Sequence, residues 1–284
     1  MSQVLDDSCS PPVILAIAGS DTSAGAGIQA DLKTFSSLCA YGATVITTLT
    51  AQNTCGVRAS YPVPADQVTA QLTAVLDDMP VRAIKLGALG SGDNVAAIIE
   101  TLNNYQPIPL VIDPVITSSS GARLLDSEGE SLLKSALLPR CRIVTPNIPE
   151  AAFLAQRVVP NTLAGMYELL NPLHDLGIEW VLLKGGHLSS QYEAIDLLSN
   201  GTDVIELRSA RTHTKNTHGT GCTLASAVAV GIGRGQAVPQ AVRFAKDYIS
   251  GAILAADQLQ VGQGSGPLHH FSLLWDSFER NNIK

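Results

Sequence analysis

The sequence predicts an α/β fold, a mostly parallel sheet with helices on both faces, and three observations carry that expectation. Short continuous apolar runs alternate with stretches of helical spacing along most of the chain, the pattern that builds parallel sheets. Composition agrees: 45% apolar residues, few aromatics and 24 glycines among 284 residues suit buried strands joined by tight crossovers. Polar residues of chemical interest recur just after the strands, on the edge where open parallel sheets form a binding crevice.

Residues 1–12, with Asp6-Asp7 and Pro11-Pro12, read as a loose tail, and 13–284 as a single domain without a low-complexity linker or internal repeat. Val13 to Ala18 is the first strand, apolar throughout as a strand covered on both faces should be. A glycine-rich turn, Gly19 to Gly27, leads into a helix over Ile28 to Leu38, with Ile28, Leu32, Phe35 and Leu38 at helical spacing. Strands follow at 43–49, 81–86, 108–112, 142–144 and 180–183, separated by helices near 65–79, 93–104, 127–138 and 161–177. Ala194 to Leu207 breaks the rhythm, because Asn200-Gly201 between two β-rich runs signals a hairpin. Leu224 to Val230 is a short buried helix, and the last long helix covers about 238–258. The strand ends present Gly19-Ser20-Asp21, Gln52-Asn53, Lys85-Leu86-Gly87, Asp113-Pro114, Thr145-Pro146-Asn147 and Lys184-Gly185-Gly186-His187.

A formal net charge of −7 with no basic cluster argues against nucleic acid as a main partner. The five cysteines are scattered, odd in number and without a Cys-x-x-Cys pair, which reads as reduced thiols in a cytoplasmic protein rather than a disulfide framework or zinc site. Val13 to Ala18 is too short for a signal peptide, and Asp6 and Asp7 stand where such a signal needs positive charge. No apolar stretch approaches the ~20 residues that span a bilayer, so a soluble protein with no membrane partner is expected.

The richest stretch is Asn216-Thr217-His218-Gly219-Thr220-Gly221-Cys222-Thr223. A glycine turn opening a helix leaves backbone N–H groups converging on one spot, suited to an anion, and Cys222 in the first turn gains thiolate character from the helix dipole. The plainer alternative is a turn that lets a small-residue helix pack tightly, with an inert cysteine. Asp113, Asn147 and Glu150 supply oxygen ligands of the kind magnesium takes, directly or through water, although a carboxylate at Glu150 is also favoured simply by opening a helix. Lys184 is either an ordinary exposed lysine or a point charge for a phosphate. The turn at 19–27 is either a tight connection or a lid over a small polar molecule. There is no Walker-type phosphate loop. Lysine, carboxylates and a helix-start anion hole are nevertheless the parts phosphoryl transfer requires, and the class they point to is an ATP-dependent small-molecule kinase.

Longer blocks make the resemblance specific. Ala18-Gly19-Ser20-Asp21, Gly25 to Phe35, Leu49 to Thr54, Asp113-Pro114-Val115, Thr145 to Glu150, Lys184 to Leu188, the octapeptide at 216–223 and Gly264 to His270 resemble, in order, the bacterial hydroxymethylpyrimidine/phosphomethylpyrimidine kinases of thiamine synthesis. The similarity spans about residues 13 to 270. It implies a ribokinase-like fold, a homodimer, and ATP- and Mg2+-dependent phosphorylation of 4-amino-5-hydroxymethyl-2-methylpyrimidine and then of its monophosphate. It further implies that Gly19, Asp31, Gln52, Ala88 and Val115 surround the pyrimidine, that Lys184 and the turn Thr217, Gly219, Thr220, Gly221 handle ATP phosphates, and that Asn147 and Glu150 form a magnesium-linked motif. Cys222 stands where most ribokinase-like enzymes have an aspartate base, as in the pyrimidine-kinase branch and some related pyridoxal kinases. Pyridoxal phosphorylation and a catalytically silent sensor are the alternatives. Three positions depart from the family: Ala24 replaces a glycine, Ala88 a methionine, and Thr117-Ser118-Ser119-Ser120-Gly121 has serine where a lysine is common. His269-His270 reads as tail packing, since adjacent histidines do not converge on one ion.

Overall fold

The structure, a computed structural model, describes residues 10–117, 121, 123–186, 188, 193–275 and 277. Residues 1–9 of the expected tail, Ser118 to Ser120 of the stretch where a lysine is common in the family, and His187 lie outside that set. The tail's end is already held, because Tyr41 N donates to Pro12 O at 2.9 Å.

The strands run β1 (Val13–Ala18), β2 (Tyr41–Ile46), β3 (Thr48–Asn53), β4 (Gly56–Pro62), β5 (Val81–Leu86), β6 (Leu110–Ile112), β7 (Ile143–Val144), β8 (Val181–Leu183), β9 (Glu193–Ser199) and β10 (Val204–Ala210). Between and after them lie α1 (Gly27–Ser37), α2 (Ala65–Asp78), α3 (Gly92–Leu102), α4 (Ser127–Leu132), α5 (Ile148–Leu154), α6 (Leu163–His174), α7 (Thr220–Gly233) and α8 (Val238–Leu254). The main sheet has eight strands in the order β10-β9-β8-β7-β6-β5-β1-β2. Neighbours from β2 through β8 pair in parallel, and β9 turns the edge antiparallel. The expected hairpin forms where Asn200 Oδ1 accepts from Thr202 N and Asp203 N, at 3.0 and 2.7 Å, with Gly201 at φ +88°.

Strand periodicity sends alternate residues to opposite faces. Leu15, Ile17, Ile84 and Leu86 pack with α2, α3 and α6, while Ile14, Ala16, Ala83 and Val111 pack with Phe35 of α1 and with α7 and α8. Helix α7 is buried from Thr223 to Ile232, as its apolar sequence demands. Truncating a fully buried residue such as Ile14 or Ile84 to alanine would cost about 2–5 kcal/mol.

One sequence expectation is corrected. The apolar run 43–49 is not one strand: β2 ends at Ile46, and β3 belongs to a separate two-stranded antiparallel sheet with β4. Thr47 is the crossing point, donating N–H to Ala18 O at 3.1 Å and its hydroxyl to Ala88 O at 2.6 Å. The chain thereby leaves the main sheet and folds over the ends of its strands. Gln52 therefore sits on this small hairpin rather than at a main-sheet strand end.

Candidate active site

The carboxyl ends of β1, β5, β6, β7 and β8, the β3–β4 hairpin and the start of α7 enclose a cleft of about 1410 Å³. Gly19, Gln52, Ala88, Asp113, Val115, Asn147, Glu150, Lys184, Thr217, Gly219, Thr220, Gly221 and Cys222 all line it. Asp31 does not, and the expectation that it touches the substrate is corrected. It is 0% exposed, with both carboxylate oxygens 2.9 Å from Lys85 Nζ and Oδ1 accepting from Ser226 Oγ at 2.6 Å. A carboxylate sealed under α7 must be paired to stay charged, and Asp31 in turn holds the buried Lys85 protonated. Lys85 stands in the strand-end block Lys85-Leu86-Gly87 without an assigned role, and nothing in the sequence marks Ser226.

The turn at 19–27 is built by Asp21. Its carboxylate accepts from Ser23 N and Oγ, Gly25 N and Ala26 N at 2.7–3.1 Å, and lies 2.8 Å from His218 Nε2. These donors, led by His218, outweigh burial and hold its pKa well below the usual carboxylate range. Ala24 adopts φ +59°, the left-handed region that favours the glycine it replaces. This turn presses on the start of α7. Gly219 has φ +83°, and a Cβ there would meet Gly25 O at 1.8 Å. Thus Gly219 is required by the backbone of the 19–27 turn, and Gly25 by the His218 ring, whose Cδ2 a Cβ there would meet at 2.5 Å.

Helix α7 has no side-chain cap, which leaves first-turn N–H groups for a ligand. Opposite them Lys184 Nζ pairs with Asp113 Oδ1 at 2.9 Å. A Cβ on Gly221 would come within 3.2 Å of that ammonium and 3.3 Å of Asp113 Oδ2, so the missing side chain brings the ion pair against the helix start. Asn147 and Glu150 form a reciprocal capping box on α5: Asn147 N donates to Glu150 Oε2 and Glu150 N to Asn147 Oδ1, each at 2.8 Å. Burial pushes the Glu150 carboxyl up to about 7, Lys184 pulling against it and Asp113 reinforcing it.

At Cys222 the surroundings work against the thiolate reading. Burial pushes its thiol up to about 11; Lys85 opposes that, while Asp31 and Asp113 add to it. Burial and two nearby carboxylates thus favour the neutral thiol over the thiolate, against the pull of Lys85. His218 joins Asp21 to Gln52 at 2.8 and 3.1 Å, a role for which the sequence gives no signal beyond its place beside Gly219. His269 and His270 are buried, His269 edge-on to Trp275 with ring centroids 4.6 Å apart. Among the described residues no three His, Cys, Asp or Glu side chains converge as a metal cage, and no helix is long and apolar enough to cross a membrane.

The chain resembles known proteins over most of its length. A family model described as phosphomethylpyrimidine kinase matches residues 21–269. A hydroxymethylpyrimidine/phosphomethylpyrimidine kinase of Rhizobium meliloti is 46% identical over 263 residues, 93% of this chain and 98% of that protein. Among solved structures, a phosphomethylpyrimidine kinase of Clostridium difficile is 40% identical with a TM-score of 0.74, covering 85% of this chain and 99% of the other. A Bacillus subtilis pyridoxal kinase in complex with ADP is 34% identical with a TM-score of 0.85, covering 94% and 100%.

Proposed function

The chain belongs to the phosphomethylpyrimidine kinase family, and from that premise we propose how its cleft performs the reaction. It phosphorylates the hydroxymethyl group of 4-amino-5-hydroxymethyl-2-methylpyrimidine, then the resulting monophosphate, with ATP as donor, in thiamine biosynthesis. The observation that carries the mechanism is the shared wall of the cleft, where the uncapped start of α7 and the Lys184–Asp113 pair meet across Gly221.

In this reading Gly19, Gln52, Ala88 and Val115 surround the pyrimidine. Gly219 and Gly221 offer backbone donors to the transferring phosphoryl group, whose charge lies on its peripheral oxygens, from a turn that Thr217 and Thr220 hold closed, Thr220 N and Oγ1 both donating to Thr217 O at 3.2 and 2.7 Å. Lys184 adds a point charge beside them. Asp113 and Glu150 fit Mg2+: two carboxylates at the cleft, one of them pushed up to about 7 by burial although Lys184 pulls against it, match an ion that takes one or two carboxylates and completes its shell with phosphates and water. Bound there, magnesium would neutralise charge on the ATP phosphates. Asn147 contributes by fixing Glu150 through the capping box. Cys222, as a neutral thiol, admits both an alcohol and a phosphate acceptor, whereas a carboxylate would repel the second.

The dimer implied by the family resemblance is supported by cross-strand neighbours Leu49 and Tyr61 on the hairpin, exposed at 50% and 61%. Free Cys39, Cys55, Cys141 and Cys222 support a reducing cytoplasm. Pyridoxal is the second candidate substrate, favoured by the likeness to the pyridoxal kinase. Purified protein with ATP and Mg2+ should convert the pyrimidine alcohol to monophosphate and diphosphate. Turnover of pyridoxal alone would move the reading to that vitamin, and binding without turnover would indicate a sensor.

A further inference from the structure

One atom of His218 serves two neighbours. Its Nε2 lies 2.8 Å from Asp21 Oδ2 and 3.1 Å from the Gln52 amide nitrogen. The Asp21 carboxylate also receives three backbone N–H groups and the Ser23 hydroxyl. So many donors keep it ionised, and the ring edge facing it must therefore carry an N–H. That N–H cannot accept from the Gln52 NH2. With the amide nitrogen towards His218, two donors face each other.

The other end of the amide has the matching conflict. Thr50 donates its only hydroxyl hydrogen to Ser20 O at 2.7 Å. The Gln52 carbonyl, 3.5 Å from Thr50 Oγ1, would then face lone pairs. Turning the amide by 180° resolves both contacts at once. The Gln52 carbonyl then accepts from His218 N–H, shared with Asp21, and the Gln52 NH2 donates to the Thr50 oxygen. An NH2 group has two hydrogens, so one donor remains on a residue that lines the cleft.

We propose that His218, anchored by Asp21, is a positioning residue that fixes the polarity of the Gln52 amide, so that the site offers its substrate a hydrogen-bond donor and selects a ring nitrogen. This rests on the pyrimidine reading above. The anchor is rigid: a Cβ on Gly25 would come within 2.5 Å of His218 Cδ2, so the imidazole packs directly on the 19–27 turn. The residue that orients the ring reader is also the immediate neighbour of Gly219, tying ring recognition to the phosphate end of the cleft.

The test compares the pyrimidine alcohol with its two analogues in which one or the other ring nitrogen is C–H. The wild-type enzyme should discriminate against one analogue by about tenfold in kcat/KM, the worth of one unsatisfied polar group. Gln52→Glu, which carries an acceptor at both ends, keeps the His218 contact and should lose that discrimination. His218→Ala should lose it too, through a higher KM for the parent alcohol with kcat within about threefold, and His218→Gln, which restores an N–H donor of similar reach, should recover most of it. A merely structural role for His218 would weaken all three ligands alike. An undiminished ratio in His218→Ala or in Gln52→Glu overturns the proposal, and Gln52→Glu decides alone should His218→Ala fail to fold. Turnover of the alcohol without discrimination overturns this proposal only; no turnover of any of the three overturns the pyrimidine reading and this inference with it.

Discussion

At the scale of single residues, the base position shows how environment overrides type. A cysteine opening a helix invites the thiolate reading, yet burial and the carboxylates of Asp31 and Asp113 push Cys222 to about 11. Little covalent chemistry is asked of the protein in a loose phosphoryl transfer, so positioning and anion stabilisation can carry it. Cys222→Ser, equally neutral, should therefore keep both steps within about tenfold, less than the ~10²–10⁴ lost with a working general base. Cys222→Asp should impair phosphorylation of the monophosphate more than that of the alcohol, by placing a charge against the incoming phosphate. Separate rate measurements on the two steps check this, and a Cys222→Ser loss confined to the alcohol step would restore the base. Asp31 makes the same point: its motif was legible, but its burial depends on Lys85 and Ser226, which are distant in sequence.

At the scale of elements, the capping box on α5 decides what Asn147 does. Its Oδ1 receives the Glu150 N–H, and Glu150 returns the bond to Asn147 N, so both side chains are first employed in starting a helix. Asn147→Ala should cost about 1 kcal/mol of stability and raise the KM for magnesium-ATP by freeing Glu150. Asn147→Ser, which still caps, should recover both, as read by urea unfolding and initial rates. Recovery of stability without recovery of KM would return Asn147 to the metal. Most elements were legible because buried parallel strands and amphipathic helices differ in run length and period. The break at Thr47 was not, since β2 and β3 are both β-rich and nothing local says which sheet a strand joins. The hairpin at Asn200-Gly201 was legible because its turn chemistry is local.

At the scale of the whole molecule, the chain's last described segment closes the fold across three helices. His270 O accepts from Ser37 Oγ of α1 at 2.6 Å and from Tyr248 OH of α8 at 2.9 Å, and its Nε2 lies 2.9 Å from Thr223 Oγ1 of α7. Burial, reinforced by the charge of Lys33 and by His269, depresses the imidazole from 6.5 to about 4. Between those values the unfolded chain binds a proton that the folded protein refuses. Stability contributed by the neutral ring is thus present above about pH 6.5 and lost as pH falls towards 4. Integrated from pH 7 to pH 5, this is about 2 kcal/mol at 1.36 kcal/mol per unit. His270→Gln keeps an amide near Thr223 but cannot titrate, so its unfolding free energy should fall by about 2 kcal/mol less than wild type over that interval. Urea midpoints at the two pH values measure the difference. Parallel losses in the two proteins would mean that other groups carry the acid sensitivity and that this closure is indifferent to the charge of its histidine.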